Sequence, residues 1–432
     1  MKKLYIAVLL TTILTLTAKD NIELTVSGAQ QTKMPIAIMV LDKTNKELNA
    51  VAEIIKKDLE FTDQFQAHIT TYDRAVSKQE LRKSIKNLAT SGTPLALCIN
   101  AQTPQAVDWH LYDTTQCTAL GAKRCKIKNL RSSAHNIADQ SRKILTGHDP
   151  IFSSHIAYCK DAKNPEGKKV RKIYTADING ENEKLFINAN NITIAPRWNI
   201  QKPELVYSEY TDTSIQLKSA SVKNKRKKAI VQGKNVSHFE DGINMSMNFA
   251  PNGNAYTFSA SCGNGNCQIY LYKDEKLKRC TKNSGNNDSP ILIDGEHLCF
   301  CSNFQTGSPQ IYIGNIVNGH LQRITRGGYC TSPSYCAKTN QIVYHQMIGG
   351  IMQIMVYDCA TKTHTQLTHN AGNKHESSWS PDGKFILYSH EGANYTSRIE
   401  VFNTLTKKIT YVTKADEYCS YPNWSPSYNK IT

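Results

Sequence analysis

Long apolar runs are nearly absent from this sequence of 432 residues. The one uncharged stretch, Leu4 to Thr17, follows Met1-Lys2-Lys3 and leads to Ala18, the charged start, short apolar segment and small residue of a secretory signal. It is too short to span a bilayer comfortably, and no later stretch has the composition of a transmembrane helix. No cysteine follows it directly, so nothing there suggests a lipid anchor. Cleavage after Ala18 is expected to release a soluble chain into an extracytoplasmic space. Acidic residues are also scarce, 36 against 52 Lys and Arg, for a net charge of +16. In a cytosolic protein that balance would suggest nucleic acid; export argues against such a partner. Residues 35–148 carry no phosphate loop and no GxGxxG, and no Gly-x-Ser-x-Gly nucleophile elbow occurs anywhere, which argues against a hydrolase. All 13 cysteines lie beyond the signal. In an oxidising compartment some are expected to pair, and the odd count leaves at least one over.

What is present in abundance is a repeat. Ser378-Trp379-Ser380-Pro381-Asp382-Gly383-Lys384 and the following Phe385-Ile386-Leu387-Tyr388 read as a short buried strand, a turn in which Pro presets φ and Gly accepts positive φ, and a returning strand. The returning strand aligns on Tyr158, Tyr207, Phe258, Phe300, Tyr344 and Tyr388, at spacings of 49, 51, 42, 44 and 44 residues. The strand before it aligns on Trp198, Phe249, Leu292, Tyr335, Trp379 and Trp424. A third strand (Gln268-Ile269-Tyr270, Gln310-Ile311-Tyr312, Gln353-Ile354-Met355) and a fourth (Leu277 to Thr281, Leu321 to Thr325, Gln366 to Thr368) complete each unit. Four strands per unit make a propeller blade. The two alignments are offset: Tyr158 has no hairpin strand before it, and Trp424 has no blade after it. The C-terminal strand is therefore expected to supply the inner strand of the first of six blades, removing an open edge.

Ahead of the repeats, Pro35 to Leu41 reads as a buried strand, and Lys46 to Phe61 places Leu48, Val51, Ala52, Ile55 and Leu59 on one helical face. A second helix spans Lys78 to Ala89. A strand at Pro94 to Asn100 and a hairpin of Ala106 to Tyr112 with Ala119 to Ile127 precede a third helix, Ser132 to Leu145, stopped by Gly147. His68, His110 and His135 stand alone and read as surface or hydrogen-bonded histidines. The expected organisation is a signal (1–18), a flexible arm (19–34), a small α/β domain (35–148) and, from a boundary near Asp149-Pro150, an all-β six-bladed propeller (149–432) closed by its C-terminal strand.

At these residues the chain resembles the TolB family of the Tol-Pal envelope system. The likeness runs through the arm Ile22-Glu23-Leu24-Thr25-Val26-Ser27-Gly28, the strand Met34-Pro35-Ile36-Ala37-Ile38, the helix end Leu145-Thr146-Gly147 leading into Phe152-Ser153-Ser154-His155-Ile156-Ala157-Tyr158, the blades, and Pro422-Asn423-Trp424-Ser425-Pro426. Departures are the many cysteines, the basic balance, and turns such as Asn199-Ile200-Gln201-Lys202 and Cys336-Ala337-Lys338-Thr339 that lack Ser-Pro-Asp-Gly. The resemblance implies a non-enzymatic, monomeric periplasmic adaptor without a cofactor, peripheral to the outer membrane. Its arm would engage TolA, and its propeller face would bind Pal, the peptidoglycan-associated lipoprotein, supporting outer-membrane integrity and constriction at division. The rival readings are a propeller-type hydrolase and a carbohydrate-binding periplasmic protein.

Candidate sites follow from the residues. In the arm, Ile22, Leu24 and Val26 alternate with polar residues and suit addition of a strand to a partner's sheet edge. Loops leading into the inner strands converge on one mouth of the channel and are free to carry function, which points to Asp241, Asn244, Asn286, Asn287, Asp288, His375 and Glu376 as a polar ring for a folded partner or an inserted peptide. Cys262 and Cys267 bracket a hairpin tip and are expected to bridge. His297, Cys299 and Cys301 share one strand face, but the last blade has Phe385, Leu387 and Ser389 at those positions, so an apolar blade contact is expected there and no metal site. His375-Glu376 begins like HExxH, yet Trp379 stands where the second His belongs. The basic runs Lys160 to Lys172 and Lys223 to Lys228 read as solvated hairpin tips.

Overall fold

The computed structural model describes residues 32–73, 76–103, 106–126, 129–221, 233–240, 242–261 and 265–428. Its N-terminal part is a five-stranded sheet organised on β1 (Met34–Val40), flanked by parallel β2 (Phe65–Thr71) and parallel β3 (Leu95–Thr103), with β4 (Ala106–Asp113) and β5 (Thr118–Lys126) added antiparallel. Alternation along β1 divides the core between the two faces. Ile36, Ile38 and Val40 join Leu48, Val51, Ile55 and Leu59 of α1 (Lys46–Phe61) and Ala134, Ile137 and Ala138 of α3 (Leu130–Thr146). Ala37 and Met39 face Ile85 of α2 (Lys78–Thr90).

The helix ends have local causes. Asn45 caps α1 by accepting from the amides of Glu47 and Leu48, Ser77 and Glu80 form a capping box on α2, and Gly147 closes α3 with φ of 71°. One element was not expected. β2 lies between α1 and α2, with Phe65 and Ala67 buried and Gln66 and His68 exposed between them.

From β6 (His155–Lys163) onward the chain is almost entirely strand. β6 pairs with β7 (Lys169–Asp177), β8 (Lys184–Ile187) lies beyond it, and β29 (Cys419–Trp424) pairs antiparallel with the other edge of β6. A longer sheet joins β9 (Thr193–Trp198), β10 (Glu204–Tyr210), β11 (Ile215–Ser221) and β12 (Lys234–Asn235) to β13 (Ile243–Phe249), β14 (Ala255–Ser261), β15 (Gln268–Lys273) and β16 (Lys276–Arg279). Among the described residues the one strand pairing between its two halves is the parallel bridge of Ile215 with Ile243. Three four-stranded sheets follow: β17 (Asn287–Leu292) to β20 (Leu321–Arg323), β21 (Cys330–Cys336) to β24 (Thr363–Gln366), and β25 (Asn373–Trp379) to β28 (Ile409–Tyr411). The first strands touch in a cycle, β29 on β9, β9 on β13, then β17, β21, β25 and back to β29.

Each of these six strands carries the same distortion. Ala195, Ser246, Ser289, Ser332, Glu376 and Tyr421 have φ between 50° and 59°, and pairing to the next strand slips register at each. These are β-bulges, which bend a strand and re-aim its side chains. Pro196, Pro290, Pro333 and Pro422 directly follow four of them, a place where the missing N–H costs no ladder bond.

The described cysteines form no disulfide with one another; Cys262, the expected partner of Cys267, lies outside the described residues, so that pairing stands as a proposal. Cys299 and Cys301 pack with Ile311, Ile342 and Tyr344, and burial pushes the Cys301 thiol up to about 12. His297 turns instead to Asp294, at 2.9 Å. Three of the six basic residues from Lys160 to Lys172 are matched by acids: Lys160 by Glu417 at 2.7 Å, and Lys169 and Arg171 by Asp161 at 2.8 and 2.7 Å. The run Lys223 to Lys228 lies outside the described residues.

Candidate functional site at the upstream mouth of the channel

The inner strands all enter the channel from one end, here called the upstream mouth. The residues two positions before the bulge are the same kind of position in every repeat: Thr193, Asn244, Asn287, Cys330, Lys374 and Cys419 are all fully buried. That settles the place of two expected contact residues. Asn244 turns away from solvent and donates through Nδ2 to the carbonyls of Phe239 (2.9 Å) and Ile215 (3.3 Å). Asn287 donates to the Gly285 carbonyl and to Asn283 Oδ1, both at 2.9 Å, and accepts from Asn283 Nδ2 at 3.0 Å. Both hold the loops in place from buried positions. Lys374, the residue before His375, has the same role. Its ammonium donates to the carbonyls of Asn370, Ala371 and Gly372, and burial lowers its pKa to about 8.

Asn286, Asp288, His375 and Glu376 remain at the mouth. Asn286 is exposed; its amide donates to Asn303 Oδ1 at 2.9 Å, and its Oδ1 accepts from the Cys267 amide at 3.1 Å. Asp288 is half-buried, and its Oδ1 has no hydrogen-bond partner among the described residues. His375 is half-buried, 3.6 Å from Glu391. Beside it lies His345, which sequence reasoning passed over because it sits in a strand of apolar residues, Ile342-Val343-Tyr344. Its ring stands edge-on to that of His375, centroids 6.4 Å apart. His345 is wholly buried, meets Ser377 Oγ at 2.7 Å and accepts from the Glu376 amide at 3.3 Å; burial lowers its pKa to about 3, so it is neutral. Glu376 has a second task, since its Oε2 accepts from the Tyr421 amide (2.6 Å) and Ser389 Oγ (2.8 Å), tying β25 to β29. Asp241 and the arm residues Ile22, Leu24 and Val26 lie outside the described residues.

Among the described residues the arrangement has donors and acceptors but no acid–base pair around a reactive nucleophile, and no group of His, Cys, Asp or Glu disposed to hold a metal. No described helix is long and apolar enough to cross a membrane.

Comparison with known proteins gives the frame for this geometry. The curated Tol-Pal system protein TolB of Francisella tularensis subsp. tularensis is 23% identical over 405 residues, covering 90% of this chain and 89% of its own length. The same protein of subsp. holarctica is also 23% identical over 405 residues. Among solved structures, TolB from Acinetobacter baumannii superposes with a TM-score of 0.72 at 21% identity, over 91% of this chain and 97% of that one. The family model for the TolB beta propeller domain matches residues 142–428, and the chain belongs to that family.

Proposed function

We propose that this chain is a non-enzymatic adaptor of the Tol-Pal envelope system, working in the periplasm as a monomer peripheral to the outer membrane. Support comes from family membership, from relatives named as Tol-Pal system proteins along nearly their whole length, and from the apolar run Leu4 to Thr17 behind two lysines. The proposed frame is a signal (1–18), an arm (19–34), an α/β domain (35–148) and a six-bladed propeller (149–432). In it the eight-stranded sheet counts as two blades, and β29 closes the ring on β6.

The upstream mouth carries the functional reading. Asp288 and His375 lie on inner strands and Asn286 directly precedes one, and the Asp288 Oδ1 lacks a hydrogen-bond partner among the described residues. Such a ring suits a folded protein or inserted peptide held by polar contacts, and the proposed occupant is Pal. The arm, through Ile22, Leu24 and Val26, is proposed to take TolA by strand addition. Together these contacts would support outer-membrane integrity and constriction during division.

The test is calorimetric titration of the cognate Pal domain into wild type, Asp288→Ala and His375→Ala, each checked for unchanged melting. Losing one buried interface hydrogen bond is expected to cost about 1–3 kcal/mol. Undiminished affinity in both variants, with weakening by substitutions in the α/β domain, would move the site elsewhere.

A further inference from the structure

The inner strands end on a second opening, and this downstream mouth holds a cavity of about 590 Å³, well within the range of about 300–1,000 Å³ typical of ligand sites. Its wall is mainly apolar, with Trp198, Tyr335, Trp379 and Trp424 among the lining side chains. Three charged residues line it: Asp149, Lys338 and Arg197. The first two pair with each other. Arg197 is left with neutral acceptors only, Nε donating to Asn248 Oδ1 at 3.2 Å and Nη1 to the Pro196 carbonyl at 2.9 Å.

Among the described residues no carboxylate comes within ion-pair distance of Arg197. Glu376 and Asp288 send their charge toward it from positions further upstream on their own strands, and Glu376 is already engaged by Tyr421 and Ser389. Burial presses the guanidinium's affinity for its proton downward, yet a guanidinium stays charged in proteins. A partly buried cation without a close anion is costly to keep; among the described residues no hydrogen bond holds its Nη2, and the side chain lines the cavity, where a guanidinium fork suits a carboxylate.

We infer that the downstream cavity binds a carboxylate carried on an apolar or aromatic body, with Arg197 taking the carboxylate and the tryptophans and Tyr335 enclosing the body. A single unpaired cation matches a single negative charge; a phosphate would call for a second, and Lys338 is committed to Asp149. A peptide C-terminus and a short fatty acid share this chemistry.

Tryptophan fluorescence reads the site directly, because three of the chain's four tryptophans line the cavity and the fourth, Trp109, is buried in the α/β core. The full chain is titrated with hexanoate and hexanamide, and with N-acetyl-alanyl-alanyl-leucine as free acid and as amide. Saturable change with at least one acid, and at least tenfold weaker response to its amide, is expected; which acid responds separates the small monocarboxylate from the peptide terminus. Arg197→Gln should erase the preference for acid over amide. Ser334→Leu, which keeps Arg197 but fills the cavity, should weaken the acid at least tenfold with melting unchanged. Equal response to acid and amide in the wild type, an acid preference that survives Arg197→Gln, or inorganic phosphate binding as well as the acids would each overturn the assignment.

Discussion

Arg142 of α3 and Asp382 of the Ser-Pro-Asp-Gly turn form an ion pair, Nη2 to Oδ2 2.7 Å, with side chains only 1% and 2% exposed. The pair joins the α/β domain to the repeat on which the whole propeller pattern is written. Asp382 also holds its own turn, through Oδ1, by accepting from Ser380 Oγ and the Lys384 amide. Arg142→Met is therefore expected to strand a buried carboxylate and cost about 3–5 kcal/mol. Adding Asp382→Asn should return most of that loss, since the turn keeps its acceptor. Urea unfolding of the two variants and wild type checks both; a loss below about 1 kcal/mol for Arg142→Met would mean water reaches the pair.

A second contact between the domains titrates. His135 lies 2.7 Å from Asp58, and its other nitrogen is 3.4 Å from Asp177, an electrostatic contact rather than a well-formed hydrogen bond. Arg131 and His155 also face Asp177. Burial opposes protonation of His135, but the carboxylates of Asp177 and Asp58 outweigh it and raise the pKa to about 9. A raised folded pKa gives stability that is complete below the unfolded value near 6.5 and lost as pH rises through about 9. Asp177 is shifted the opposite way, so its contribution fades only under strongly acid conditions. Wild type should lose roughly 1–3 kcal/mol between pH 6.5 and 9.5. His135→Asn should show a flatter profile over that window, and an identical profile would remove His135 as the cause.

Glu376 serves the fold as well as the mouth. Replacing it by Gln removes the charge that strengthens the bond from the Tyr421 amide at 2.6 Å, and about 1–2 kcal/mol of stability should go with it. Protease sensitivity near the C-terminus should rise in parallel, because β29 loses a tie to β25. Loss of partner affinity with unchanged unfolding would instead assign Glu376 wholly to binding.

The bulge positions offer a test by gain. Ser332 sits at φ of 52°, where a non-glycine residue is strained by roughly 1–2 kcal/mol. Ser332→Gly should be neutral to stabilising by up to about 1 kcal/mol, with glycine's greater unfolded-state freedom taking back part of the gain. Ser332→Val, β-branched at the same φ, should destabilise clearly. Thermal melting of both variants decides; if valine is tolerated as well as glycine, the bulge relaxes easily.

How much of this was legible depended on whether the signal was local. Helix α1 shows its face through Leu48, Val51, Ile55 and Leu59, and its limits Lys46–Phe61 are those read from the sequence. β2 was equally readable in the alternation Phe65, Ala67, Ile69 but was passed over between two stronger helical patterns. The bulges were invisible because alanine, serine, glutamate and tyrosine occupy positions where positive φ is usually announced by glycine. At the upstream mouth, residue type identified polar positions but not their direction: Asn244 and Asn287 look like surface asparagines until the neighbouring sheet covers them. Asp58, His135 and Asp177 are spread over 120 residues of chain, and no spacing rule brings them together. Arg197 gave no signal at all, because its meaning lies in what is missing around it.

The pairing of β29 with β6 also sets an order of events. β6 ends at Lys163 and its edge partner begins at Cys419, so at a synthesis rate of about 5–20 residues per second that edge waits on the order of tens of seconds for its partner to be made. During that interval the first sheet offers unpaired backbone groups along a strand whose apolar stretch Ile156 to Cys159 is buried in the finished fold, the kind of template that recruits foreign strands. The nascent chain thus needs a caretaker, or an unfolded passage, until its last turn of sequence is complete.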